Sequence, residues 1–198
     1  MPRSYFLVYK PYGMLSQFTR EMPQHRVLGD LFDFPKDVYP VGRLDQDSEG
    51  LLLLTNDTRL NDALLNPIRA HSRTYWVQVE GIPTEKAITQ LQQGVDIRIK
   101  KRTHRTRPAE ARLLEPAPTL PERDPPIRYR KTVPTSWLEL KLTEGKNRQV
   151  RRMCAAVGFP VLRLVRAAIE DVPLGTMQIG EVKEWKSTIL FPLLKVKL

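Results

Sequence analysis

The sequence is poor in cysteine and in long apolar stretches. Its one cysteine, Cys154, excludes an internal disulfide framework and a metal site built from several cysteines, and it fits a reducing compartment. No apolar run approaches the roughly 20 residues that a membrane-spanning helix needs, and the N-terminus lacks the pattern of a signal peptide. We therefore expect a cytoplasmic protein that does not bind a membrane.

Acidic residues are scarce relative to basic ones. The 198-residue chain carries 32 Lys and Arg against 22 Asp and Glu, which gives a formal net charge of +10. This excess predicts a polyanionic partner, and nucleic acid is the first choice. With 41% hydrophobic residues the chain can build a core, which excludes disorder as its overall state. The charge does not separate an enzyme from a ribosomal or scaffolding protein.

Motifs for metal and nucleotide binding are missing as well. The three histidines, His25, His71 and His104, show neither i, i+4 spacing nor an H-x-x-E pattern, and the single cysteine adds no further ligand set. No G-x-G-x-x-G, Walker or G-x-S-x-G motif occurs, so a nucleotide cofactor and a serine-hydrolase nucleophile have no support. We expect neither a metal nor a cofactor.

The apolar pattern predicts more strands than helices. Six prolines between Pro116 and Pro134 exclude regular structure there and predict a long surface excursion. The class is therefore α+β, with a mostly antiparallel central sheet and flanking helices. Strands are predicted over 5–9, 51–55, 73–80, 95–99, 105–114, 136–142, 161–165, 168–172 and 189–198, and helices over 27–32, 58–65, 84–93, 147–157 and 180–185.

No composition shift divides the chain into independent parts. We expect one domain over residues 1–198, built as two lobes with a boundary near residues 58–72. No internal repeat is present. Nothing in the pattern indicates an oligomer, and we expect a monomer.

An acidic loop stands out in this basic chain. Asp45, Asp47 and Glu49 lie directly before the apolar run Leu51–Leu54. Loops supported by a buried strand are common places for reactive groups. The plain alternative is a solvated acidic turn. Against that alternative, three carboxylates would repel a polyanionic ligand unless they served its chemistry.

A first group of basic residues lies around the helix predicted over 147–157. Arg148, Arg151 and Arg152 would share one face, while Val150 and Met153 would point to the core. Cations at a helix start oppose the helix dipole, and a bound phosphate would remove that conflict. An ordinary amphipathic helix with a basic exposed side is the alternative. The RNA-binding candidates here are Lys146, Arg148 and Arg152.

A second group of basic residues occupies ten positions without an acid. It predicts a clamp for RNA phosphates at the tip of a hairpin. Surface charge that only keeps the protein soluble is the alternative. The candidates are Arg98, Lys100, Lys101, Arg102, Arg105 and Arg107.

Two motifs resemble a known family. The segment Gly42-Arg43-Leu44-Asp45, with the following residues 48–57, resembles the catalytic motif of the pseudouridine synthases of the RsuA type, which isomerise uridine in ribosomal RNA. The opening residues 5–13 are similar to the first motif of that family, and the match extends to about residue 175. The resemblance implies a pseudouridine synthase catalytic fold with an RNA-binding cleft, no cofactor, and ribosomal RNA as partner.

The position of the first motif implies a short member of the family. Many relatives carry a small N-terminal RNA-binding module of the S4 type before this motif, which begins here at Tyr5. We therefore expect no N-terminal S4 domain, as in the RluE-like members that act on large-subunit (23S) rRNA.

The resemblance also implies roles for individual residues. Asp45 corresponds to the catalytic aspartate, Tyr75 to the tyrosine that lies against the target base, and Arg151 to the arginine that meets the aspartate. A carboxylate can act at the sugar or at the uracil ring, as nucleophile, base or stabilising anion, and these roles stay open. Burying Asp45 and Arg151 unpaired would be costly, so we expect the two to be in contact.

Arg43 and Lys10 complete the RNA-binding candidates. Arg43, beside Asp45, can take the place of the flipped nucleotide, or it can neutralise a neighbouring carboxylate. Three other functions remain open: a tRNA pseudouridine synthase, a non-catalytic rRNA-binding or ribosome-assembly protein, and a glycoside hydrolase. The hydrolase is disfavoured because a pair of carboxyls around a sugar gives no reason for so much basic surface.

Overall fold

The structure, a computed structural model, describes residues 2–127, 130 and 132–198. The chain divides into two compact units, the first formed by Met1–His71 with Val165–Leu198 and the second by Ser72–Leu164. Within the described residues, no helix has the length and the apolar character needed to cross a membrane. The elements in chain order are β1 (Tyr5–Lys10), a short 3-10 helix (Leu28–Asp30), β2 (Tyr39–Pro40), β3 (Glu49–Thr55), α1 (Thr58–Leu65), β4 (Arg73–Glu80), α2 (Glu85–Gln93), β5 (Asp96–Ile99), β6 (Arg102–Arg105), β7 (Glu110–Leu113), β8 (Thr135–Leu142), α3 (Gln149–Ala156), β9 (Val161–Ile169), β10 (Val172–Pro173), β11 (Val182–Glu184) and α4 (Ser187–Leu193).

The first unit is built around β1 and β3. These strands pair antiparallel along their whole length, with Tyr5 opposite Thr55 and Lys10 opposite Gly50. On their outer sides β1 pairs antiparallel with β11, and β3 pairs in parallel with β9 through Glu49 and Gly50. Every residue of β1 and β3 is buried, which explains why both strands read as continuous apolar runs.

The second unit is an antiparallel sheet with a separate hairpin. Strand β8 pairs with β4 on one side and with β7 on the other, while β5 and β6 pair only with each other. Helix α2 packs near β7 and helix α3 near β5. Alternating residues of β4 and β8 face apolar residues of the two helices. The core consists of Val77, Val79, Leu91, Val95, Ile97, Ala111, Leu138, Leu140, Leu142, Val150, Met153, Cys154 and Leu164.

The predicted α+β class with a mostly antiparallel sheet is confirmed. Helices α1 and α2 and strand β4 lie where the pattern placed them. The Asp57 side chain caps α1 by accepting a hydrogen bond from the Arg59 N–H. The Thr84 side chain caps α2 by accepting one from the Ala87 N–H. The described residues between β7 and β8 form no helix or strand, as the prolines predicted.

The strand predicted over 105–114 is interrupted. Thr106 turns back onto Val95, donating its N–H to the Val95 carbonyl and accepting the Val95 N–H at its hydroxyl. The Arg107 N–H is then bound by a carboxylate, and Pro108 has no N–H to give. The pattern could not show this because the break depends on contacts with distant residues.

Two of the three tail predictions were wrong. Residues 182–184, predicted as helix, form β11, because the outer edge of β1 offers backbone partners along three residues. Residues 189–193, predicted as part of the strand 189–198, belong to α4, which buries Leu190 and places Phe191 against the ring of Tyr5 at 5.3 Å. The strand predicted over 168–172 is confirmed at residues 168, 169 and 172, and a turn at Glu170 and Asp171 interrupts it between β9 and β10. In both wrong predictions a tertiary partner outweighed the local propensity.

Candidate active site

Asp45 lies in the loop that enters β3, and its main chain is fixed on both sides. The Ser48 N–H donates to the Asp45 carbonyl at 3.0 Å, which closes a tight turn. Directly before it, the buried hydroxyl of Ser16 accepts the Leu44 N–H at 3.1 Å and donates to the Leu44 carbonyl at 2.8 Å. The Asp45 side chain remains partly exposed. The loop therefore presents a carboxylate on a preorganised backbone.

Lys10, at the end of β1, supports the same loop through a hydrogen bond to its backbone. Its side chain is fully buried, and its ammonium donates to the carbonyls of Pro11 at 2.8 Å, Met14 at 2.7 Å and Gln46 at 3.4 Å. Gln46 is further held by Gly13, whose N–H donates to the Gln46 carbonyl at 2.8 Å. This burial does not support the prediction that Lys10 contacts RNA. The structure instead gives Lys10 the role of fixing the loop.

The charges around Lys10 form a cluster within the first unit. Burial lowers the pKa of Lys10 from 10.5 to about 7. The carboxylates of Glu49, Asp47 and Asp45 oppose that shift, and Arg166 adds to it. Glu49 is buried, and Asp45 and Asp47 are partly exposed near the buried ammonium of Lys10, so the loop is not a fully solvated acidic turn. The cluster keeps negative charge close to the catalytic candidate while the rest of the chain is basic.

Gly50 allows the backbone of Arg166 to lie directly against β3 beside this cluster. Its φ is +104°, and a β-carbon there would lie 2.4 Å from the backbone oxygen and 2.6 Å from the backbone nitrogen of Arg166. The Arg166 side chain in turn donates from Nε to the Leu51 carbonyl at 2.7 Å. Sequence reasoning missed Arg166 and Ser16, and a glycine directly before an apolar strand was the signal for a close backbone approach.

The far end of β3 is held by Asp57. Its buried carboxylate accepts hydrogen bonds from the Tyr5 hydroxyl at 3.0 Å and from the Arg59 guanidinium at 3.2 Å. Burial alone would raise the pKa of Asp57, but these hydrogen bonds and the charge of Arg3 hold it below its usual value. The residues after the strand therefore fix β3 in register with β1, which keeps the loop at its other end in place.

Tyr75 and Arg151, the other catalytic candidates, belong to the second unit. Tyr75 lies on β4 opposite Leu140 and is partly buried against the core of that unit. Arg151 is a partly exposed residue in the first turn of α3. In the same helix, burial raises the pKa of the Cys154 thiol to about 12, against the opposing charge of Arg151. Cys154 is therefore a core residue and not a nucleophile.

The six basic candidates of residues 98–107 are all exposed; five lie on the hairpin of β5 and β6, and Arg107 follows β6. Lys100 and Lys101 form the tip of the hairpin. Lys146 and Arg148 are exposed in the loop before α3, and Arg43 is exposed beside Asp45. The predicted helix start is too early, since Arg148 has a φ of +51° and precedes the helix, so it does not share a helical face with Arg151.

A supported carboxylate in a chain rich in exposed cations is typical of an enzyme that acts on a polyanion. Comparison with known proteins identifies the class. Residues 4–156 match the model of the RNA pseudouridylate synthase family. This match covers well over half of the chain, and the chain belongs to that family.

Individual relatives agree with this assignment. The chain is 56% identical over 166 residues to the ribosomal large subunit pseudouridine synthase E of Xanthomonas axonopodis pv. citri, covering 83% of this chain and 85% of that protein. It is 46% identical over 182 residues to the protein of the same name from Vibrio parahaemolyticus, covering 92% and 74%. A crystal structure of a pseudouridylate synthase superposes with a TM-score of 0.78 at 26% identity, covering 97% of this chain and 74% of the other. The predicted family, its short RluE-like branch and its fold are confirmed.

Proposed function

We propose that this protein isomerises uridine to pseudouridine at a specific position in large-subunit ribosomal RNA, with Asp45 as the essential carboxylate. The backbone of the Asp45 loop carries the proposal, because Ser16, Ser48 and Lys10 hold it in one conformation. Two relatives of this chain are named ribosomal large subunit pseudouridine synthase E. The enzyme is an isomerase that acts on RNA.

The reaction needs a carboxylate but no added atom. The bond between C1' of the ribose and N1 of uracil breaks, the uracil turns, and C5 joins C1'. C5 then loses its proton and N1 gains one, so the product is an isomer of uridine. An ionised Asp45 can attack the sugar, attack the ring or stabilise positive charge at C1'. Each role requires a carboxylate in a fixed place, and the hydrogen bonds on Leu44, Asp45 and Gln46 fix the backbone that carries it.

The remaining site residues are proposed from the family motifs and from exposure. Tyr75 stacks on the uracil that has left the RNA helix, a contact worth about 1–3 kcal/mol per base. Arg151 corresponds to the arginine that meets the catalytic aspartate in the family motif. Arg43 fills the space left by the flipped nucleotide. Backbone phosphates are bound by Arg98, Lys100, Lys101, Arg102, Arg105, Arg107, Lys146, Arg148 and Arg152.

The protein acts in the cytoplasm as a monomer.

The test compares ribosomal RNA from cells with and without the gene. Because pseudouridine has the same mass as uridine, the sites are mapped with a carbodiimide that stays on pseudouridine and stops reverse transcription. We expect one stop in the large-subunit RNA to disappear without the gene and to return with the wild-type gene. Unchanged stops in ribosomal RNA would refute the proposal, and loss of a stop in tRNA instead would favour the tRNA alternative.

A further inference from the structure

One carboxylate joins the basic hairpin to the loop that precedes α3. Glu144 lies at the end of β8 with little of its side chain exposed. Its Oε1 accepts the Arg107 N–H at 2.8 Å and the Gln149 amide at 2.7 Å, and its Oε2 lies 3.2 Å from Nε2 of His104. Two of these three partners belong to β6 and the residues after it, and the third belongs to α3. Glu144 thus holds the two elements together.

Two further side chains fix the loop itself. The amide oxygen of Gln149 accepts the Lys146 N–H at 2.9 Å, so the contact of Gln149 with Glu144 extends to the loop backbone. Arg152 donates to the side-chain oxygen of Asn147 at 3.0 Å and also to the Arg98 carbonyl on β5. Residues 145–148 are therefore tied to both strands of the hairpin.

These ties hold like charges close to one another. Residues 98–107 and 145–152 contain no acidic residue, so no carboxylate within these two segments neutralises their cations. Arg105 forms a solvent-exposed ion pair with Asp96 at 3.8 Å. Such a pair contributes little. Holding cations together in this way is favourable when a polyanion binds across them.

The same two segments offer no platform for stacking. Residues 96–107 and 145–152 contain no Phe, Tyr or Trp. Proteins that bind single strands combine cations with aromatic side chains on which the bases stack. In a base-paired RNA helix the bases are already stacked and the phosphates face outward, so cations alone are sufficient. The chemistry of this surface fits the backbone of a helix.

We propose that the hairpin of β5 and β6 and the loop 145–148 form one fixed surface that binds the sugar-phosphate backbone of a base-paired segment in the RNA substrate. Glu144 is its positioning residue. We call it the hairpin surface, and its cations are Arg98, Lys100, Lys101, Arg102, Arg105, Lys146 and Arg148. The inference rests on the proposed function only in taking RNA as the substrate.

Substitution of Glu144 separates positioning from simple charge. Removal of an acid makes the protein more positive and should by itself tighten RNA binding. We expect the opposite for Glu144→Ala, a several-fold weaker affinity for a 20-base-pair RNA duplex with a smaller salt dependence, because the cations are no longer held together. Glu144→Gln keeps an oxygen acceptor for Arg107 and Gln149 and should restore the affinity. Glu85→Ala on the exposed face of α2 is the matched control and should equal or slightly exceed the wild type.

The probes are the 20-base-pair RNA duplex and an unpaired RNA of equal length. The affinity for each is measured from low to physiological salt concentration. Wild type should bind the duplex more tightly, and Lys100→Ala/Lys101→Ala should lower the salt slope for the duplex by roughly 1–2 without affecting folding. With an unmodified rRNA fragment that serves as substrate, Glu144→Ala should raise KM and change kcat by less than about twofold.

Tighter duplex binding by Glu144→Ala, or preferred binding of the unpaired RNA, would overturn the proposal. If Glu144→Ala does not fold, an unchanged salt slope in the double lysine variant would overturn it equally. These binding measurements do not depend on turnover. A protein that bound duplexes as expected but modified no uridine would refute the proposed function and leave the hairpin surface intact.

Discussion

Lys10 donates a hydrogen bond of 3.4 Å to the carbonyl of Gln46, the residue directly after Asp45. The same ammonium also binds the carbonyls of Pro11 and Met14, in the turn that follows β1. A fully buried amine thus connects the first motif of the sequence to the loop of the second. The first motif therefore provides the support on which the loop of the second motif rests.

The first prediction concerns the pH dependence of stability through Lys10. Its pKa is about 7 when folded and near the usual 10.5 when unfolded. Between these values the unfolded chain binds a proton that the folded chain has released, so this group makes stability rise with pH. In Lys10→Met that contribution is absent. We expect the variant to be less stable, and its deficit in the free energy of unfolding to grow from pH 7 to pH 9.

Urea titrations at pH 6, 7, 8 and 9 measure this difference. Lys36→Met, at an exposed lysine of the same unit, is the control and should differ from wild type by an amount that does not change with pH. A deficit of Lys10→Met that stayed constant from pH 6 to pH 9 would mean that Lys10 keeps an ordinary pKa in the folded protein.

The second prediction concerns Gly50. A β-carbon would lie 2.4 Å from the Arg166 backbone and would separate β3 from β9. We expect Gly50→Ala to lower the free energy of unfolding by more than about 2 kcal/mol, or to prevent folding. Gly29→Ala is the control, because its nearest neighbour would be a side-chain carbon at 3.8 Å, and it should change stability by less than about 1 kcal/mol. Equal thermal midpoints for the two variants would contradict the close approach.

The third prediction concerns Tyr75. If its ring stacks on the extruded base, Tyr75→Phe should keep most of the affinity for the rRNA fragment, since the phenyl ring offers the same face. Tyr75→Leu should lose about 1–3 kcal/mol of binding free energy, because an aliphatic side chain fills the same core edge without stacking. Fluorescence anisotropy would measure the RNA affinity of both variants in the background of the inactive Asp45→Asn protein. Similar affinities of the two variants would assign Tyr75 to the core of the second unit.

The fourth prediction concerns Cys154. Burial raises the pKa of its thiol to about 12, so almost no thiolate exists at neutral pH. We expect Ellman's reagent to react with the native protein only as fast as the protein unfolds, and with one equivalent in urea. Rapid modification of the native protein would show that the thiol is accessible.

Local sequence signals were sufficient wherever an element is stabilised by its own residues. The apolar pattern predicted helices over 58–65 and 84–93 and a strand over 73–80, and the prolines before β8 predicted the irregular segment; the structure has all four within its described residues. The tail was mispredicted because β11 depends on the free edge of β1, which no local pattern reveals.

The candidate site shows the same division. Asp45 could be recognised because its motif is contiguous. Lys10 was assigned to RNA by its charge alone, and only the three carbonyls around it reveal a supporting role. Glu144 went unassigned in the sequence because its partners lie 5 to 40 positions away.

The most direct test of the account is the activity of Asp45→Asn. The amide has nearly the shape of the carboxylate but cannot carry its charge, so the loop and the RNA affinity should be retained. With purified protein and an unmodified rRNA transcript labelled with tritium at C5 of uridine, release of tritium measures turnover. We expect wild type to release tritium from one site and Asp45→Asn to release none above background, with affinities within about threefold. Release by the variant at the wild-type rate would contradict the assignment of Asp45 as the catalytic residue.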